Sequence, residues 1–266
     1  MTLISIIAAL VAERLMGHLR EYLRLDWFDS YIEFLGDKAK SILKDGWIGL
    51  VLLLIPVSVA LFAIQQFLTD WILPFNLLGV AFGIVVLIYA LTPLTLNADI
   101  EEYVDAVKNS DAERTQAAAD KLTAGETDDV TAAIFSRAND DLFATVMWFF
   151  VAGPVGALLY RITGHAADNG DEALSHAGKG LRSIMAYVPG RLMAFTFALA
   201  GSFDGATNAK GSLAAAGVGA LHGENLDDAA ASALAARKLI IRSLVIWFGV
   251  LAFLTWINLP VFAAAH

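Results

Sequence analysis

Ser183-Ile-Met-Ala-Tyr-Val-Pro-Gly-Arg-Leu-Met-Ala-Phe-Thr-Phe-Ala-Leu-Ala-Gly201 decides the fold class of this chain. Its side chains are apolar enough for a membrane span, yet Pro189, Gly190 and Arg191 interrupt it. A charge at the bilayer centre costs about 2.5–3.5 kcal/mol on insertion scales, so such residues face a bundle interior or a water-filled cavity. The stretch therefore predicts a helical membrane bundle with a polar interior, and a helix broken at Pro189-Gly190.

The rest of the chain fits that reading. It is 58% hydrophobic and 17% charged over 266 residues, where a soluble domain is nearer 45–50% apolar and about 25% charged. Besides 184–201, four stretches approach the roughly 20 residues that a hydrocarbon core requires. They are 47–68, 72–94, 142–160 and 239–259. Residues 2–15 form a marginal sixth, ending in Glu13-Arg14. No basic region precedes it and no small-residue cleavage site follows, so it reads as a retained segment. The expected fold is all-α, a polytopic integral membrane bundle forming a single membrane domain over 1–266.

Three polar regions punctuate the spans. Within 26–44, Phe28, Tyr31, Ile32, Leu35, Ala39 and Ile42 recur at helical spacing beside Arg20, Arg24, Lys38, Lys40 and Lys44. This reads as an amphipathic interfacial helix, packed on neighbouring spans. Residues 95–141 hold twelve acids and four bases, eight of the nine net negative charges of the chain. Over 97–138 they predict a helical hairpin, with a capping box at Ser110–Glu113 and a stop at Gly125. Residues 202–238 read as a Gly/Ala-rich loop turning helical near Asn225, with 217–223 flexible.

Lysine and arginine orient the bundle. Residues 17–46 carry five, 95–141 four and 202–238 three. Those regions are expected in the cytoplasm and the 161–183 loop outside. The acidity argues against nucleic acid and against contact of 95–141 with anionic lipid. The bilayer is the expected partner, with a cytoplasmic protein on 95–141 and a small anionic or amphiphilic ligand in the interior.

Enzymatic patterns are scarce. Cysteine is absent, and there is no phosphate-binding loop, His-Glu-x-x-His or nucleophile elbow. No cofactor, metal site or catalytic residue is expected. Asp168, Asp171, Glu172 and His176 sit close together and read as acids of a hydrated loop rather than metal ligands. Candidate ligand-binding residues are Arg191, Asp140, Glu13, Arg14, Arg161 and Tyr160. Arginine suits bidentate capture of a phosphate or carboxylate, and Asp140 stands at the mouth of a span. Gly153, Pro154 and Gly156 permit close helix approach or an opened backbone within it.

Three blocks carry a family resemblance: Thr2-Leu-Ile with Glu13-Arg14-Leu15, Trp148 to Arg161 with its Gly-Pro-x-Gly-Ala and Tyr-Arg, and Val188-Pro-Gly-Arg-Leu192. In this order they resemble the AmpE family of bacterial inner-membrane proteins, related to the cobalamin-pathway enzymes CobD and CbiB. The resemblance runs along the whole chain and is sharpest over 137–193. It implies a multi-pass inner-membrane protein that signals in cell-wall recycling and beta-lactamase induction. The enzyme branch, which joins an aminopropanol phosphate to adenosylcobyrate, carries Glu-Asn-x-x-Asp before the tryptophan. Here Asp140 matches the aspartate and Ser136 replaces the glutamate. Where the enzymes have Asn-Thr-Leu-Asp-Ser-Met, this chain has Gly164-His-Ala-Ala167, with Asp168 one position late. These departures point away from intact cobinamide-forming chemistry; an enzyme on a phosphorylated or amphiphilic substrate is the alternative. A transporter, suggested by a broken helix, finds no inverted repeat to support it.

Overall fold

A computed structural model describes residues 6, 28, 30–32, 46–70, 77–91, 93–125, 127–209, 212–224 and 228–256. Apolar runs and capping residues account for the order of helices: α1 Gly46–Asp70, α2 Leu77–Ala90, α3 Pro93–Lys108, α4 Ala112–Thr123 and α5 Val130–Ala138. A five-residue π turn, Asn139–Phe143, leads into α6 Ala144–Asn169. Then follow α7 Glu172–Ala200, α8 Phe203–Asn208, α9 Leu213–Ala220 and α10 Ala229–Trp256. No strand occurs among the described residues.

Three of these stretches are long and apolar enough to cross a membrane: Gly46–Leu68, Val130–Asn169 and Glu172–Ala200. In the first, only 17% of the most apolar window is buried inside the protein. Trp47, Ile48, Val51, Ile55, Val59 and Phe62 face outward, as expected of a helix whose solvent is hydrocarbon. Helix α2 has 14 residues, about 21 Å at 1.5 Å per residue, and lies within the expected 72–94 span, whose first residues lie outside the described ones. The expected 2–15 span lies outside the described residues. So does most of the 26–44 helix, of which Phe28, Ser30, Tyr31 and Ile32 are helical.

The described residues fall into two compact units, one drawn from 1–91 and 145–187, the other from 92–144 and 188–264. The first has a core of Phe28, Leu50, Leu53, Val86, Leu158, Ile162, Ala166 and Leu174. Gly178 meets the backbone of Ala167 so closely that a Cβ would stand 2.7 Å from its nitrogen. Ser175 Oγ donates to the Ala167 carbonyl at 2.5 Å. The expected 161–183 loop is thus helix on both sides of a tight turn. Asp171 caps α7 there, accepting from the Leu174 N–H at 2.9 Å. Small residues let the two helices touch, and the cap satisfies an amide that a loop would give to water.

The second unit corrects two more expectations. Residues 97–138 form three helices, not a hairpin. The cap of α4 is Asp111, one residue after the expected serine; its carboxylate accepts from Arg114 N–H at 3.1 Å. Asp129 caps α5 in the same way, accepting from Ala132 N–H at 3.0 Å. The chain leaves α4 through Ala124 and Gly125, both at positive φ (49° and 73°), which fits the expected stop.

Residues 217–220 are the end of α9, not a flexible loop. Ser212 Oγ accepts from Ala215 N–H at 3.1 Å to start the helix. Gly217 lies under the Phe135 ring, where a Cβ would stand 2.5 Å from ring carbons. Glycine is there for close packing, not for freedom. Phe135 in turn meets Phe197, centroids 4.8 Å apart.

Candidate functional site

The expected break in α7 is absent. Helix α7 runs through Pro189, and Gly190 does not take positive φ. The break falls in α6, at Gly153 (φ 66°, ψ −156°). That conformation is open almost only to glycine, and Pro154 disfavours the α conformation in the residue before it. The Gln65 side chain of α1 flanks the break, 3.8 Å from where a Cβ would sit. Gly156 presses on the Trp148 carbonyl, leaving 2.5 Å to an added Cβ. Gly153-Pro-x-Gly156 is therefore a kink in α6 secured by close approach.

Pro189 is accommodated by a partner. A proline lacks the N–H that would bond the carbonyl four residues back, here that of Met185. The Trp148 indole N–H donates to that carbonyl at 3.1 Å.

In the second unit the π turn places Asn139 and Asp140 beside α7. Asn139 is 3% exposed. Its Nδ2 donates to Asp140 Oδ1 at 3.0 Å, while its Oδ1 is buried with no hydrogen-bond partner. The nearest group to a Cβ added at Gly190 is Asn139 Nδ2, 4.0 Å away. Asp140 is half-buried, and Arg191 is exposed on α7. Asn139 thus lies near Gly190 of the Val-Pro-Gly-Arg segment, and the expected ligand residue Asp140 follows Asn139 in the π turn. Asn139 was not singled out from the sequence; its only signal is an amide followed by two acids beside an apolar run.

Tyr160 and Arg161 belong to the first unit, Tyr160 buried and Arg161 half-buried on α6. Along the same helix Gly164 carries the Arg182 guanidinium, 3.7 Å from the position of an added Cβ. Arg182 Nη1 lies 3.5 Å from Asp168. Glu13 and Arg14 lie outside the described residues. Among the described residues no three His, Cys, Asp or Glu side chains gather as for a metal ion.

The acids of the 95–141 region are largely engaged within their own unit. Asp99 pairs with Arg137 at 3.0 Å, Glu101 with Arg237 at 3.0 Å and Glu102 with Lys121 at 2.7 Å. Helix α3 is tied to α5, α10 and α4 by these pairs. The Lys121 ammonium holds the Glu102 carboxyl below its usual pKa, and Glu102 raises that of Lys121.

No family model matches the chain, and no solved structure matches it. Over 77 residues it is 32% identical to the cobalamin biosynthesis protein CobD of Stutzerimonas stutzeri (strain A1501). That match covers 27% of this chain and 25% of the relative, so the chain aligns with about a quarter of that protein's length. The similarity to a cobalamin-pathway protein and the three apolar helices make this a chain of membrane-protein character.

Proposed function

We propose that the chain is a multi-pass inner-membrane protein of the AmpE kind, built on a scaffold akin to CobD, with a regulatory role in cell-wall recycling and beta-lactamase induction. The observation that carries this is a departure: helical residues Gly164–Ala167, with the Arg182 guanidinium lying over Gly164, stand where the enzymes have amide and acid ligands. Asp140 remains beside Asn139 in the π turn, and Arg191 remains next to Gly190. Together they suit an anionic or amphiphilic ligand that is sensed rather than turned over. In this reading 95–141 and 202–238 face the cytoplasm, and a protein partner docks on the acids that α3 does not use internally.

The second reading is an enzyme of the CobD type acting on a phosphorylated or amphiphilic substrate, favoured by the partial identity with CobD. Two assays separate them. The AmpE-like reading expects altered beta-lactamase induction on deleting the gene, and no rescue of cobalamin synthesis in a strain lacking its own CobD-type synthase. Rescue by the expressed chain, with induction unchanged, would replace the first reading by the second. Retention of the chain in carbonate-washed membranes checks the location that both require.

A further inference from the structure

Two buried side-chain oxygens in the second unit have no hydrogen-bond partner: Asn139 Oδ1 and Ser243 Oγ. Ser243 is 0% exposed. Hydroxyls in the other helices bond the carbonyl four residues back, as Thr196 does to Leu192 at 2.7 Å and Thr163 to Leu159 at 2.8 Å. An orphaned buried polar atom costs about 1–3 kcal/mol, so two in one packed unit call for a physical reason.

They share a layer. Arg137 and Arg237 both pair with α3, at Asp99 and Glu101. Further along, Phe143 meets Trp247 edge-on, centroids 5.9 Å apart. Helix α10 therefore runs in the same direction as α5 and the π turn. Asn139 lies one turn before Phe143, and Ser243 one turn before Trp247. The Trp247 indole donates to Thr196 Oγ1 at 3.1 Å, bringing α7 against α10, and on the same helix Gly190 lies near Asn139. π turns inserted in helices occur frequently at functional sites.

We propose that this layer is a monovalent cation site of sodium type, held by Asn139 Oδ1 and Ser243 Oγ beneath the charge of Asp140. Asn139 Oδ1 can only accept, and its neighbour Asp140 is a carboxylate, so the guest is a donor or a cation. A hard cation takes oxygen ligands of this kind, and sodium sites in helical membrane proteins form where helix geometry is interrupted. A divalent ion is disfavoured, because no third carboxylate or histidine converges among the described residues. The site goes beyond the function proposed above and does not depend on which of its two readings holds.

The test is thermal unfolding of the purified full chain in detergent, titrated with sodium chloride against choline chloride at constant ionic strength. The expected result is a midpoint about 3–5 °C higher in sodium at tenfold the dissociation constant, with no rise in choline. In Ser243→Ala and Asn139→Leu the sodium-dependent rise disappears; Ser243→Ala folds in choline, since it removes only an orphaned oxygen, whereas Asn139→Leu also removes the donor to Asp140. Equal midpoints in sodium and choline for the unmodified chain would overturn the proposal. So would a sodium-dependent rise that survives in Ser243→Ala, the milder variant, which decides alone if Asn139→Leu does not fold.

Discussion

The Trp148 indole donates to the carbonyl of Met185 at 3.1 Å, the carbonyl that Pro189 deprives of its helical donor. Trp148→Phe keeps the ring bulk and removes the donor. The expected cost is about 1–2 kcal/mol, the penalty of one part-buried acceptor left without its donor. Pro189→Ala returns an N–H to the helix, so Trp148→Phe in that background should cost much less. A double-mutant cycle by thermal or denaturant unfolding measures the coupling. Additive effects would mean that the indole bond is incidental.

The glycines of the two broken-looking segments separate sharply. Gly153→Ala forces a side chain into φ 66°, ψ −156° and should lose about 1–3 kcal/mol. Gly156→Ala sets a methyl 2.5 Å from the Trp148 carbonyl and should lose a similar amount by overpacking, about 1–3 kcal/mol. Gly190→Ala meets nothing nearer than Asn139 Nδ2 at 4.0 Å. In a continuous helix it should be neutral or stabilising by up to about 1 kcal/mol. Unfolding midpoints of the three variants check this order.

That contrast also marks what was legible in the sequence. The long apolar runs identify α1, α6, α7 and α10 because length and hydropathy are properties of each segment alone. Gly-Pro and Pro-Gly look alike as breakers, yet only the first breaks its helix. At Gly153-Pro154 the residue before proline is a glycine, free to take positive φ. At Val188-Pro189 it is β-branched and cannot, and the freed carbonyl finds Trp148, 37 residues away. A rescue from another helix leaves no local mark. The same holds for Asn139, whose importance lies in burial, and for Gly217, whose partner is the ring of Phe135.

The Glu102–Lys121 pair gives a pH prediction. The folded-state pKa of Glu102 is lowered by the hydrogen bond and charge of Lys121. Its stabilisation is present above the ordinary glutamate pKa and is lost as pH falls through the lowered value. The raised pKa of Lys121 acts at the other end: its contribution is full below the ordinary lysine pKa and is lost as pH rises through the raised value. Both groups are exposed, so the effect is small and screened by salt. Lys121→Met should flatten the acid limb of the stability curve, more clearly at low than at high ionic strength.

Arg191 lies on the face of α7 that also exposes Ile184, Val188 and Phe195, spaced four, three and four residues apart on one side of the helix. The interior-facing arginine expected from the sequence is instead exposed on the protein's own surface. An arginine whose role is to hold the fold resists replacement by methionine; one whose role is to meet a ligand does not. Because Arg191 is exposed, whatever interaction it makes is screened, and Arg191→Met should change unfolding free energy by no more than about 1 kcal/mol. Arg191→Lys keeps the charge but loses the bidentate fork, so it should recover only part of any function that Arg191→Met abolishes. Under the regulatory reading proposed above, beta-lactamase induction in strains carrying each variant, normalised to membrane-extracted protein, reads this out. A methionine variant that folds and induces like the unmodified chain would remove Arg191 from the site, leaving Asn139 and Asp140 as its polar groups.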